Sequence, residues 1–346
     1  MSKPEPSMTT TFQGTQHGST RPVDPAASPA LNRSRRAAST RLLPPALSGE
    51  RIFVGGVGPV LCAYVSLPEA GSRAALQAPL LLVHSVNAAA SAAEVRPVFD
   101  MAADTRPVMA LELPGFGSSQ RDAGPYTPAL MRDSILRALA HLKMLGLQRP
   151  ADVMAVSLSC EFAALAALQE PTRIRSLALV SPTGLEAEVP DRYEDGRTKD
   201  KPWLRYLLER GPWAQWVFKL LTRESVMRRF LRRTWGSSEI DERLLAYNLL
   251  SVRRAGARHA PYAFIGGALF TRGIARLYER LQQPVWLARG LKGEFAKFDG
   301  LAALGPPANW TTDSFDAGAM PYFQRPDEFM ARYGTFLARG ERAFLG

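Results

Sequence analysis

Four short apolar runs punctuate the first half of the chain: Pro79–His84, Pro107–Leu113, Asp152–Val156 and Ser176–Val180. Each is too short for a helix, and the first three are followed by helix-length segments over Ala92–Ala103, Pro128–Leu145 and Cys160–Gln169. Thr127 stands at an N-cap position with Pro128 behind it, and Gly146 closes that second helix. Strands alternating with helices can bury both faces of the strands only by forming a mostly parallel sheet, which makes this an α/β chain. Arg51–Val54 and Val60–Val65 add two strands around a Gly-rich turn. Pro284–Arg289 and Asp313–Asp316 add two more before a terminal helix over Asp327–Leu337.

The sheet pattern breaks between residues 186 and 275, where the sequence turns helical, aromatic and basic. Residues 197–258 hold fifteen Lys and Arg against six Asp and Glu, a local +9 out of a whole-chain +11. This reads as a helical lid inserted between a first core part, 51–185, and a last core part, 276–346. Residues 1–50, rich in Ser, Thr, Pro and Ala with scattered Arg, read as a disordered basic tail without a secretory h-region. Cys62 and Cys160 are far apart and lack metal-ligand spacing, so neither a disulfide framework nor a metal centre is expected, and a reducing, cytoplasmic setting is. No apolar run reaches membrane-spanning length. The basic charge sits in the tail and the lid without a recognised binding module, so nucleic acid is not an expected partner.

Four local motifs follow one another in a telling order. Leu82-Val-His84-Ser85-Val86 ends the first core strand, and Glu112-Leu-Pro114-Gly-Phe-Gly117 ends the second. Ala155-Val-Ser157-Leu-Ser159 joins the third strand to an Ala-rich helix, with small residues two before and two after Ser157. Finally, Gly290-Leu-Lys-Gly293 and Gly318-Ala319-Met-Pro321 close the last two strands. Together these resemble the α/β-hydrolase superfamily over residues 51–346, and within it the lidded esterases, haloalkane dehalogenases, epoxide hydrolases and carbon–carbon bond hydrolases. The resemblance implies a nucleophile elbow at Ser157 and an oxyanion hole from the backbone N–H groups of Val86 and Leu158. It also implies substrate contacts from Ser85, Asn87 and Ser159, and a structural rather than catalytic His84. No cofactor is implied.

The same resemblance leaves the acid and histidine slots empty, at Gly293 and Ala319. No histidine follows His259 anywhere in the chain. Glu294, beside the acid slot, is a candidate displaced acid, with Asp299 further along; His259 is a candidate unconventional base. Loss of the histidine from an intact triad costs about 10⁶-fold in turnover, so efficient hydrolysis by the usual route is not expected. Three readings stay open. One is a hydrolase of a small, largely apolar ester- or ketone-like substrate using Ser157 and the oxyanion hole. Another is a pseudo-enzyme binding a small apolar or weakly anionic ligand under the lid, similar in principle to the plant gibberellin receptors. The last is an interaction protein on an anionic membrane surface, with Val226, Met227, Phe230 and Leu231 on one helical face flanked by Arg228, Arg229, Arg232 and Arg233.

Overall fold

The computed structural model describes residues 43–122, 124–185, 198–293 and 307–345. Eight strands form one sheet in the order β1-β2-β4-β3-β5-β6-β7-β8. They are β1 (Glu50–Val54), β2 (Leu61–Ser66), β3 (Leu80–Val83), β4 (Val108–Glu112), β5 (Ala151–Val156), β6 (Ile174–Val180), β7 (Val285–Gly290) and β8 (Trp310–Phe315). β2 runs antiparallel to both β1 and β4, and every other neighbouring pair is parallel. All residues of β3, β4, β5 and β6 are buried, as expected of strands covered on both faces by helices.

Three helices alternate with the central strands: α1 (Arg96–Ala103), α2 (Pro128–Met144) and α3 (Ser159–Gln169). Thr127 caps α2 as its sequence predicts, its hydroxyl accepting from the Leu130 N–H at 3.1 Å. Among the described residues between β6 and β7 lie six helices: α4 (Pro202–Arg210), α5 (Ala214–Leu221), α6 (Glu224–Trp235), α7 (Glu242–Ser251), α8 (His259–Ile265) and α9 (Ile274–Glu279). The short α10 (Pro321–Gln324) and the long α11 (Pro326–Leu345) follow β8. On α11, Phe329, Tyr333 and Phe336 pack their rings against Trp286 of β7, sealing that end of the sheet.

Packing begins earlier than the sequence boundary at residue 50 places it. Leu43, Ala46 and Leu47 are buried in the core, the Ala46 N–H donates to the Tyr64 hydroxyl, and the Tyr247 hydroxyl donates to the Pro44 carbonyl. These apolar residues sit in a Pro-rich stretch whose composition hides their packing partners. No described helix is long and apolar enough to cross a membrane.

The strand order reverses between β3 and β5, whose residues pair from Leu80↔Asp152 to Val83↔Ala155. Open α/β sheets bind ligands outside the carboxyl ends of the strands at such a reversal. The Ser85–Val86 and Ser157–Leu158 segments emerge there side by side.

Candidate active site

Ser157 is one of two described non-glycine residues at positive φ, at 55°, the other being Ser181 at 46°. Its backbone is fixed on both sides: its N–H donates to the Val180 carbonyl at 2.8 Å, and its own carbonyl accepts from Cys160 N–H at 3.0 Å. A left-handed serine costs on the order of 1–3 kcal/mol and persists only where surrounding packing imposes it. The tight turn leaves Ser157 partly exposed, with no hydrogen-bond partner for its hydroxyl among the described residues. Cys160 is buried in α3 and its thiol lies against the Ala155 carbonyl; burial pushes its ionisation far up, so it is an inert packing residue.

The opposing loop is closed by a carboxylate that the motif does not reveal. Glu94, fully buried, accepts from the Ser85 N–H at 2.9 Å and from the Asn87 side-chain amide at 2.6 Å. That amide also donates to the Ser85 hydroxyl, and the Asn87 side-chain carbonyl accepts from the Ala89 N–H. The Ser159 hydroxyl, on the other side, donates to the His84 carbonyl at 2.6 Å. Ser85, Asn87 and Ser159 therefore hold the scaffold together through these bonds. The physical reason is that a buried loop must satisfy its own polar groups before it can present any to a ligand.

Two of the described backbone donors left without an acceptor stand at the elbow and on the facing loop; the N–H groups of buried Ala90 and Ser91 are others. Among the described residues neither the Val86 N–H nor the Leu158 N–H has an acceptor, although Val86 is 3 % and Leu158 0 % exposed. Unused buried backbone donors are rare and costly. These two occupy the positions at which the sequence predicts an anion-stabilising pair.

His84 is structural. Its Nε2 accepts from the Leu113 N–H, which leaves the proton on Nδ1 to donate to the Ser85 carbonyl at 2.6 Å. Burial lowers its pKa to about 4, opposed by the Ser85 bond and assisted by the Arg121 charge, so it is neutral at neutral pH.

The acid and histidine slots are not vacant space. Gly293 has φ +87°, and a Cβ there would lie 2.7 Å from the Arg233 carbonyl oxygen and 2.8 Å from that of Thr234. A Cβ on Gly318 would lie 2.3 Å from the Trp235 Cα, and the Ala319 N–H donates to the Thr234 carbonyl at 2.9 Å. The Ser181 hydroxyl donates to the Ala319 carbonyl, tying this loop to the end of β6. The last turn of α6 is thus seated on the loops after β7 and β8, and only glycines let its backbone come so close.

Of the alternative proton-handling residues, His259 lies within the described part of the chain. His259 opens α8, partly buried, next to Ala260, whose Cβ lies where a side chain on Gly115 would go. Burial lowers its pKa, helped by Arg258 and opposed by Asp122. Its neighbours belong to the segment after β4, two strands from β5. Glu294 and Asp299 lie outside the described residues.

A further buried acid stands one helical turn beyond the elbow. Glu161 accepts from the Thr183 hydroxyl at 2.6 Å and from the Thr271 N–H at 2.8 Å, joining the end of β6 to the segment after α8. Burial pushes its pKa up to about 7 against the pull of those bonds and the Lys199 charge. Because the folded state holds this proton more tightly than the unfolded chain, the contribution of Glu161 to stability is fully present below about pH 4.3 and is lost as pH rises through 7. Glu94 and Glu112, also raised by burial, act in the same direction. Denaturant titrations from pH 5 to 7.5 are expected to show a declining midpoint, with Glu161→Gln removing up to about 3 kcal/mol of that decline. A midpoint rising with pH would contradict this.

A family model described as the alpha/beta hydrolase fold matches residues 78–218. Solved structures extend the likeness over most of the chain. A probable hydrolytic enzyme from Pseudomonas aeruginosa PAO1 is 21% identical with a TM-score of 0.63, over 85% of this chain and 96% of that one. The chain has the α/β-hydrolase fold.

A meta-cleavage product hydrolase from Pseudomonas fluorescens IP01 is 14% identical, with a TM-score of 0.61 over 84% of this α/β-hydrolase-fold chain and 98% of its own. A thermophilic esterase from Thermogutta terrifontis is 17% identical, with a TM-score of 0.61 over 84% and 99%. No curated protein sequence matches. At these identities the likeness establishes architecture, and the chemistry rests on the residues themselves.

Proposed function

We propose that this α/β-hydrolase-fold protein is a hydrolase of a small, largely apolar ester- or ketone-like compound, with Ser157 as the residue that meets the carbonyl. The observation that carries this reading is a free hydroxyl held at φ 55° beside two buried N–H groups, of Val86 and Leu158, without acceptors. Such donors stabilise the oxyanion of a tetrahedral intermediate, each by about 3–4 kcal/mol when aligned. Attack forms the Oγ–carbon bond and moves the carbonyl electron pair onto oxygen. The hydroxyl proton passes to solvent or to a basic atom of the substrate, since both ring nitrogens of His84 are committed to the Leu113 and Ser85 backbone. Turnover is accordingly slow. On this reading the inserted helices act as a lid, which Arg254 of the α7–α8 segment ties to the core through the Gly117 carbonyl. The activities named for the structural neighbours, hydrolysis among them, support the same reaction class.

A serine-directed fluorophosphonate tests the reading. Labelling of the folded protein that disappears in Ser157→Ala is the expected result, and folded protein that takes up no label would refute it. A second reading, ligand binding without turnover, is favoured by the seating of α6 on Gly293 and Gly318, which leaves no room for an acid. It predicts unlabelled protein that still binds a small carbonyl compound.

A further inference from the structure

The inserted helices carry an apolar face that the core does not use. Ala214 and Phe218 of α5, and Met227, Leu231 and Trp235 of α6, point inward and are buried. A surface helix of this kind ordinarily shows polar residues on its other side. Here Trp216 on α5 is 62 % exposed and Trp213 just before it 45 %, and on the neighbouring α4 Trp203 is 68 % and Tyr206 65 % exposed. Trp203 and Tyr206 share a face of α4 at helical spacing, and the Trp213 indole N–H donates to the Leu207 carbonyl, joining α4 to the start of α5. On α6, the face expected to be uniformly apolar is split: Met227 and Leu231 are buried, while Val226 and Phe230 are exposed at 42 % and 40 %. Exposed aromatic patches of this kind mark interaction surfaces.

The charge around the patch selects the partner. Lys219, Arg223 and Arg229 on α5, α6 and their junction are exposed and have no acidic partner among the described residues. Arg228, in contrast, is paired with Glu224 and Glu242. A second copy of the chain would bring the same local +9 against itself, and residues 1–42 are basic as well, with six Lys and Arg against two Asp and Glu. Like charges placed face to face disfavour both occupants. Indole rings prefer the headgroup region of a bilayer, and unpaired cations prefer anionic headgroups.

We propose that the outward face of α4, α5 and α6 docks the protein on an anionic lipid bilayer, with Trp203 and Trp216 entering the headgroup layer and Lys219, Arg223 and Arg229 meeting its charge. This surface is independent of Ser157.

Flotation of the full chain with vesicles of phosphatidylcholine and phosphatidylglycerol, against phosphatidylcholine alone, tests it. Binding is expected only to the anionic vesicles, to weaken with salt, and to be unchanged in Ser157→Ala. Trp203→Ala with Trp216→Ala should weaken it on the order of tenfold per indole. Lys219→Gln, Arg223→Gln and Arg229→Gln together should weaken it on the order of fivefold per charge. All five side chains are exposed, so helical circular dichroism should stay unchanged and separate lost docking from lost folding. Absence of binding to anionic vesicles, or binding that survives the tryptophan substitutions, overturns the proposal. So does a dimer that the same tryptophan substitutions dissociate, since that would make the face a contact between copies.

Discussion

Gly293→Asp combined with Ala319→His is expected to give no esterase and a protein destabilised by about 3 kcal/mol or more. The aspartate must adopt φ +87° and place its Cβ within 3 Å of two carbonyl oxygens at the end of α6. The histidine replaces an Ala319 that is 9 % exposed and bonded through its N–H to Thr234. The Gly293 change pushes the last turn of α6 off the core, and a carboxylate pressed against carbonyl oxygens also meets like partial charge. Urea denaturation with a p-nitrophenyl ester assay would measure both effects. A stable double variant with histidine-dependent esterase activity would mean that α6 yields its place readily, and that the slots differ from the family pattern in two residues alone.

The other large effect lies at the opposite end of β5. Asp152 is fully buried and binds the Arg106 guanidinium at 2.7 Å, the Arg175 guanidinium at 2.9 and 2.6 Å, and the Ser176 hydroxyl at 2.5 Å. Asp152→Ala leaves two buried guanidiniums facing a cavity, which should cost about 3–5 kcal/mol. Ser176→Ala removes one neutral donor and should cost about 1 kcal/mol. The cluster anchors the start of the strand that ends at Ser157, so loss of Asp152 is expected to lower ligand binding along with stability. A thermal midpoint unchanged in Asp152→Ala would show that the ion cluster contributes little.

Much of the architecture is legible in local pattern. The apolar runs that become β3, β4, β5 and β6, and the Thr127-Pro128 start of α2, follow from burial periodicity and capping chemistry acting over a few residues. The elbow is legible because small side chains at Ala155 and Ser159 are a local steric need. What stays hidden depends on partners far apart in the chain. Ser91-Ala-Ala-Glu94 has the spacing of a capping box, yet the Glu94 carboxylate serves Ser85 and Asn87 instead. Ser159 looks like a mouth residue and turns inward to the His84 carbonyl, 75 positions away. Gly293 and Ala319 read as missing functional groups. The small size of Gly293 is also a packing requirement, because the end of α6 lies on it, and no pattern within the motif records that contact.

The central claim is that any reaction at Ser157 proceeds without a histidine base, and the pH dependence of its acylation tests this most directly. Intact-mass measurement of acetyl transfer from p-nitrophenyl acetate, between about pH 5 and 9, is expected to show slow modification confined to Ser157. Its rate should climb steadily with hydroxide concentration, without the plateau that follows titration of an imidazole near its ordinary pKa of about 6.5. A rate that levels off above pH 7 and collapses in His259→Gln would contradict the claim, by showing that α8 delivers the base that the last two strands lack.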